Sequence, residues 1–93
     1  MPEFEWDAGK AASNLAKHGV SFEEAASALL DPLALTVFDT AHSVSENRWL
    51  TVGYSQAWRV LLVVSTDGEA STRIISARKA TLGERQIYER HNR

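Results

Sequence analysis

The pattern of the chain predicts an α+β fold, helices packed on an antiparallel sheet, and two observations carry that expectation. Capped segments of helical period occupy the first third and the last tenth of the chain. Between them, from Leu33, apolar residues run at strand period in successive short blocks separated by polar turns. Helices gathered before and after a strand block, without βαβ alternation, indicate helices laid on one sheet face.

The elements follow in order. Phe4-Glu5-Trp6 reads as a short edge strand. Asp7 is placed to cap a helix, its carboxylate accepting from free N–H groups of the first turn. Ala8, Ala11, Ala12 and Leu15 then recur at helical spacing. Lys17 and His18 suit the negative end of that helix, and Gly19 supplies the left-handed stop. Ser21-Phe22-Glu23-Glu24 is a capping box that opens a second helix, with Phe22, Ala25, Ala26, Leu29 and Leu30 as its apolar stripe. Asp31-Pro32 ends it, because the residue before proline avoids helical geometry.

Leu35–Asp39 reads as a strand and Thr40–Asn47 as a loop. Arg48–Ser55, Arg59–Thr66 and Thr72–Ala77 follow as three strands of a meander. Asp67-Gly68 is the expected two-residue hairpin turn between the last two, whereas Gln56-Ala57-Trp58 carries no turn signal and leaves that register open. Thr81-Leu82-Gly83-Glu84 is a second capping box, opening a helix that runs to about the C-terminus.

The length of 93 residues suits one domain, 1–93. The absence of cysteine rules out disulfide and thiolate chemistry and fits a reducing cytosol. The longest apolar run, Val60–Val64, is strand-sized, and the acidic start Met1-Pro2-Glu3-Phe4-Glu5 is unlike a signal peptide. A soluble, cytoplasmic protein without membrane contact is expected. His18, His42 and His91 are too scattered for a metal-ligand motif, the five glycines are isolated, and no metal or cofactor is expected.

Charge is asymmetric. Residues 1–47 hold two Lys and eight Asp/Glu, a net of −6. Residues 48–93 hold eight Lys/Arg, seven of them Arg, against four Asp/Glu, a net of +4. Such halves suggest a basic face despite the overall −2.

Phe4-Glu5-Trp6-Asp7, Lys17-His18-Gly19-Val20-Ser21-Phe22-Glu23-Glu24-Ala25, Asp31-Pro32, His42-Ser43, Glu46 with Arg48-Trp49, Gly53 with Ser55, and Arg73-Ile74-Ile75-Ser76-Ala77-Arg78-Lys79-Ala80 resemble, in this order, the BrnT family of toxins. Glu84-Arg85 and Tyr88-Glu89 continue the pattern. The resemblance implies a RelE-like fold and a ribonuclease that arrests translation. It also implies a BrnA-like antitoxin with a ribbon-helix-helix DNA-binding part, so that toxin and antitoxin form a hetero-oligomer and promoter DNA is reached only through the antitoxin. Two segments depart from the family. Gln56-Ala57-Trp58-Arg59 stands where a basic residue and a glycine usually precede the arginine, and Asp67-Gly68-Glu69 stands where another arginine is common.

RNA cleavage without a metal needs a base for the 2′-hydroxyl, cations for the phosphoryl oxygens and an acid for the departing 5′-oxygen. The forked guanidinium of arginine matches two phosphate oxygens. The candidates are Arg59 and Arg78 first, then Arg48 and Arg73. In a two-residue-turn register Arg59 lies opposite Ser76, Arg78 shares their face and Arg73 points away. For each, the alternative is a solvated strand-end arginine or an ion pair with an acidic helix.

His42 and Glu46, in the loop before the Arg48 strand, are candidates for acid and base, against the alternative of a loop held by local hydrogen bonds. Lys79, Lys17 and Trp58 are candidates for RNA contact, Lys17 also being explained by the helix end it occupies and Trp58 by a place in the core or against a partner. The antitoxin is expected over the arginine-bearing face or the final helix around Ile87 and Tyr88. The competing readings are a RelE-like module that has lost catalysis and acts only as co-repressor, and an interaction domain with no RNA role.

Overall fold

The computed structural model describes residues 3–92. Met1, Pro2 and Arg93 lie outside them, as does the part of the N-terminal reading that rests on Met1-Pro2. The elements are β1 (Phe4–Glu5), α1 (Ala8–His18), α2 (Phe22–Leu29), β2 (Leu35–Phe38), β3 (Arg48–Tyr54), β4 (Val60–Asp67), β5 (Thr72–Lys79) and α3 (Leu82–His91). They build one five-stranded sheet in the order β1-β5-β4-β3-β2. β2 to β5 form the expected antiparallel meander, while β1 adds parallel to β5, so the sheet is mixed. No helix among the described residues is long and apolar enough to cross a membrane.

The local signals act as their chemistry dictates. Asp7 accepts from Lys10 N–H, Ser21 from Glu24 N–H, and Thr81 and Glu84 close a complete reciprocal box. Gly19 stops α1 at φ 69°, a left-handed conformation that costs glycine little. Glu24 departs from its predicted role. It gives α2 its backbone N–H, but its carboxylate turns inward rather than back to the cap.

The core lies between α1, α2 and one sheet face, where Val20, Phe22, Ala25 and Ala28 meet Leu61, Val63, Ile74 and Ala77. Gly53 lets α2 come close, since a Cβ there would meet the Ala28 carbonyl. The stripe expected on α1 is corrected. Ala11 packs against the core as expected, but Leu15 is 52% exposed, and the buried residue of α1 is Asn14. Its side chain bonds Ala77 N–H and C=O and the Val20 carbonyl, serving backbone groups that an alanine or leucine would leave unpaired. On α2 the buried stripe includes Ala28, whereas Leu30 is exposed.

Two further expectations change. The helices do not share one face. α3 lies across the opposite face, where its Glu84 and Ile87 line a groove with Leu35, Val37, Leu50, Val52 and Leu62. The β4–β5 connection is also longer than two residues. Asp67 pairs with Thr72, leaving Gly68–Ser71 as the loop, and a bulge sets Val64 against Ser76 but Ser65 against Ile74. Ser76 therefore faces Val64, not Arg59. The bulge also reverses the parity of β5, because one extra residue moves every later side chain to the other face.

Candidate functional site

The turn between β3 and β4 is built by Ser55, whose carbonyl accepts from Trp58 N–H at 3.0 Å and whose N–H donates to the Arg59 carbonyl at 2.8 Å. α2 fastens this turn from below. Ser27 Oγ accepts from Gln56 N–H, and Glu24 Oε2 accepts from Ser55 Oγ at 2.7 Å and from Arg59 Nε at 2.8 Å. Arg59 Nη2 completes a forked pair with Glu24 Oε1 at 2.6 Å and donates also to the Gly19 carbonyl at the end of α1. Nε and Nη2 are thus committed, and Nη1 has no acceptor among the described residues.

The electrostatics follow this geometry. Hydrogen bonding to Arg59 outweighs the penalty of burial and, with Ser55, holds the Glu24 carboxyl below its ordinary value. The same pair pushes the Arg59 guanidinium up. Glu24→Gln is expected to destabilise the fold by about 1–2 kcal/mol at neutral pH, lowering the thermal midpoint by roughly 4 °C or more. Because the folded pKa lies below the unfolded one, the carboxylate's contribution is complete above roughly pH 4.5 and lost as pH falls through the folded value. Thermal scans of both proteins from neutral to acid should show the gap closing. A gap independent of pH would remove the ion pair as its cause.

Beside Arg59, at the end of the sheet where the turn meets α3, lies an open cleft of about 340 Å³. Arg59, Lys79 and Arg85 supply its cations, Tyr54 and Trp58 its aromatic surface, and Glu89 its carboxylate. Trp58 is 80% exposed and packs edge-on against Tyr54, ring centroids 6.0 Å apart. Of the residues predicted from sequence, Arg59, Lys79 and Trp58 meet here.

The other arginines do not. Arg78 pairs with Leu62 and so faces away from the core, whereas Arg59 reaches α2 on the core side; the shared face expected for them is not formed. Arg78 instead holds Glu84 through both terminal nitrogens at 2.8 and 3.0 Å, which lowers the Glu84 carboxyl and raises the guanidinium. Arg48 and Arg73 flank Thr66 in one cross-strand row at the far end of the sheet, about 20 Å from Arg59 by strand rise. The bulge places Arg73 on the face of Arg78, against expectation. Arg48 meets Glu46 at 3.5 Å and Arg73 meets Glu5 at 3.6 Å.

His42 bonds Asp39 in the β2–β3 loop, and it and Glu46 lie beside the Arg48 end rather than beside Arg59. Lys17 lines a separate shallow groove with Lys10, His18 and Ser76. A single pocket of four arginines therefore does not exist, and each of the four is matched by a carboxylate.

Sequence reasoning missed Glu24, Tyr54, Arg85 and Glu89 as site residues. Arg85 and Glu89 carried a usable signal, since four residues apart on a helix puts both on one face. Glu24 carried none, because its partner is 35 residues away.

A mixed sheet with two helices on one face and a third on the other, ending in a cationic and aromatic cleft, defines a small α+β domain. The fold is also that of a solved structure, the Brucella abortus ribonuclease toxin BrnT at 1.1 Å resolution, with a TM-score of 0.67 and 23% identity over 87% of this chain and 99% of that one. The chain belongs to the BrnT family: the family model described as ribonuclease toxin, BrnT, of type II toxin-antitoxin system matches residues 6–84. No curated protein matches the chain by sequence.

Proposed function

We propose that this chain is an endoribonuclease toxin that cleaves RNA by attack of a 2′-hydroxyl on the adjacent phosphate, without a metal ion, and so inhibits translation in the cytoplasm. The observation that carries the reading is the gathering of Arg59, Lys79 and Arg85 around one cleft that also bears Tyr54 and Trp58. Cations from a turn, a strand end and a helix surround the volume in which a scissile phosphate would sit. The unbonded Nη1 of Arg59, fixed by Glu24 beneath it, is the preorganised donor for the charge that builds on the phosphoryl oxygens. Glu89, which lines the cleft, takes the 2′-hydroxyl proton, and the Lys79 ammonium in the same cleft gives a proton to the departing 5′-oxygen. Glu24 is a positioning residue, its oxygens already filled by Ser55 and Arg59.

The partner is a BrnA-like antitoxin with a ribbon-helix-helix part, through which the complex reaches promoter DNA. Ile87, 59% exposed beside Val37 and Leu50 in the groove under α3, supports contact at the final helix. Tyr88 does not, being buried with its hydroxyl on Asp31.

The purified chain is expected to cut single-stranded RNA, alone or on ribosomes, leaving 2′,3′-cyclic phosphate and 5′-hydroxyl ends. Lys79→Gln and Arg85→Gln should each lower kcat/KM about tenfold, the equivalent of roughly 1.4 kcal/mol. RNA left intact with and without ribosomes would sink the enzyme reading. It would favour a catalytically inactive co-repressor module, for which the carboxylate partner of each of Arg48, Arg59, Arg73 and Arg78 is the supporting observation.

A further inference from the structure

Trp58 is the residue that folding explains least. Its φ of 63° makes it the one non-glycine residue of positive φ among those described. A β-carbon is disfavoured in that conformation, and glycine or asparagine would close the same turn with less strain. The ring is also 80% exposed, so it recovers little by burial. Its edge contact with Tyr54 offsets part of the cost and no more.

The turn holds this conformation because its neighbours over-determine it. Ser55, Gln56 and Arg59 are each bonded to Glu24 or Ser27 of α2. A strained backbone that keeps a large apolar ring in water is a feature to be explained by what the ring meets.

We propose that Trp58, braced by Tyr54, is the stacking platform for one unpaired nucleobase of the RNA whose phosphate lies among Arg59, Lys79 and Arg85. This rests on the nuclease reading and adds to it a base subsite. A cationic groove for the backbone beside an aromatic face for a base is the general solution for single-stranded nucleic acid, and it is tolerant of sequence because every base has a π-face. Trp58 and Arg59 are consecutive and line one cleft, so a base and a neighbouring phosphate of the same strand are engaged together.

The substitution Trp58→Gly separates this role from folding, because the two move in opposite directions. Glycine relieves the turn, so the thermal midpoint should hold or rise. Loss of the ring should weaken binding of a short, uncleavable single-stranded 2′-O-methyl oligoribonucleotide of randomised sequence by about tenfold or more, and Trp58→Phe should stay within about threefold of the parent. Three results would overturn the proposal: Trp58→Gly binding within about twofold of the parent, a midpoint lowered by more than about 5 °C, or lost capture of a co-expressed antitoxin with RNA binding unchanged. Parent protein that neither binds nor cleaves RNA would bring down the nuclease reading as well. A parent that does both, equalled by Trp58→Gly, would remove the stacking role alone.

Discussion

Arg59→Lys is expected to lower the rate of RNA cleavage by about a hundredfold or more while the protein remains folded. In the proposed reaction Arg59 has two tasks for one plane. Nε and Nη2 are spent on Glu24 and on the Gly19 carbonyl, and Nη1, which has no acceptor among the described residues, is the donor assigned to the phosphate. A lysine ammonium keeps the charge beside Glu24, but three donors on one atom cannot grip that carboxylate and a phosphate on its far side together. Losing one preorganised donor to a developing oxyanion costs about a hundredfold to a thousandfold.

Alanine is the less informative change, because it strips Glu24 of its partner. An unpaired carboxylate with only 9% of its side chain exposed destabilises the fold by roughly 2–3 kcal/mol, on top of any catalytic loss. The paired change Arg59→Ala with Glu24→Gln removes that charge and should recover much of the stability without recovering cleavage. Rates and thermal midpoints measured side by side on the three variants decide the matter. Cleavage by folded Arg59→Lys within about threefold of the parent would make Arg59 a structural group.

Asn14→Leu carries the largest expected effect on stability, about 3–4 kcal/mol. β1 covers β5 only at Thr72 and Arg73, so farther along, the edge of β5 has no strand beside it. Asn14 fills that place from α1. Its Oδ1 accepts from Ala77 N–H at 3.1 Å, and its Nδ2 donates to the Ala77 carbonyl at 2.8 Å and the Val20 carbonyl at 3.0 Å. Ala77 is 1% exposed, so water does not replace these bonds. Leucine matches the volume but orphans three buried backbone groups, each worth about 1 kcal/mol or more. Against a total near 5–10 kcal/mol for a chain of this size, that is a third or more of the stability. The thermal midpoint should fall by more than about 12 °C with no change in denaturant m-value. A fall of less than about 3 °C would show that the bonds contribute nothing net.

Local chemistry along the chain specifies the elements, the ends of the helices and the order of the elements. Asp7, Ser21 and Thr81 cap, Gly19 and Asp31-Pro32 stop, and the period changes at Leu33, because each of these interactions is settled within three or four residues. The family pattern was legible too, since it is spread over most of the chain as short ordered motifs. Which side chains meet depends instead on how the elements pack. Glu24 reads as a capping-box acid and becomes the partner of Arg59, and Asn14, which carries no local signal, bonds the open edge of β5 from α1. The bulge after Val64 and the four-residue loop Gly68–Ser71 then set which face each arginine takes. A single residue of register turns a whole strand over, and no local signal in the chain specifies that residue.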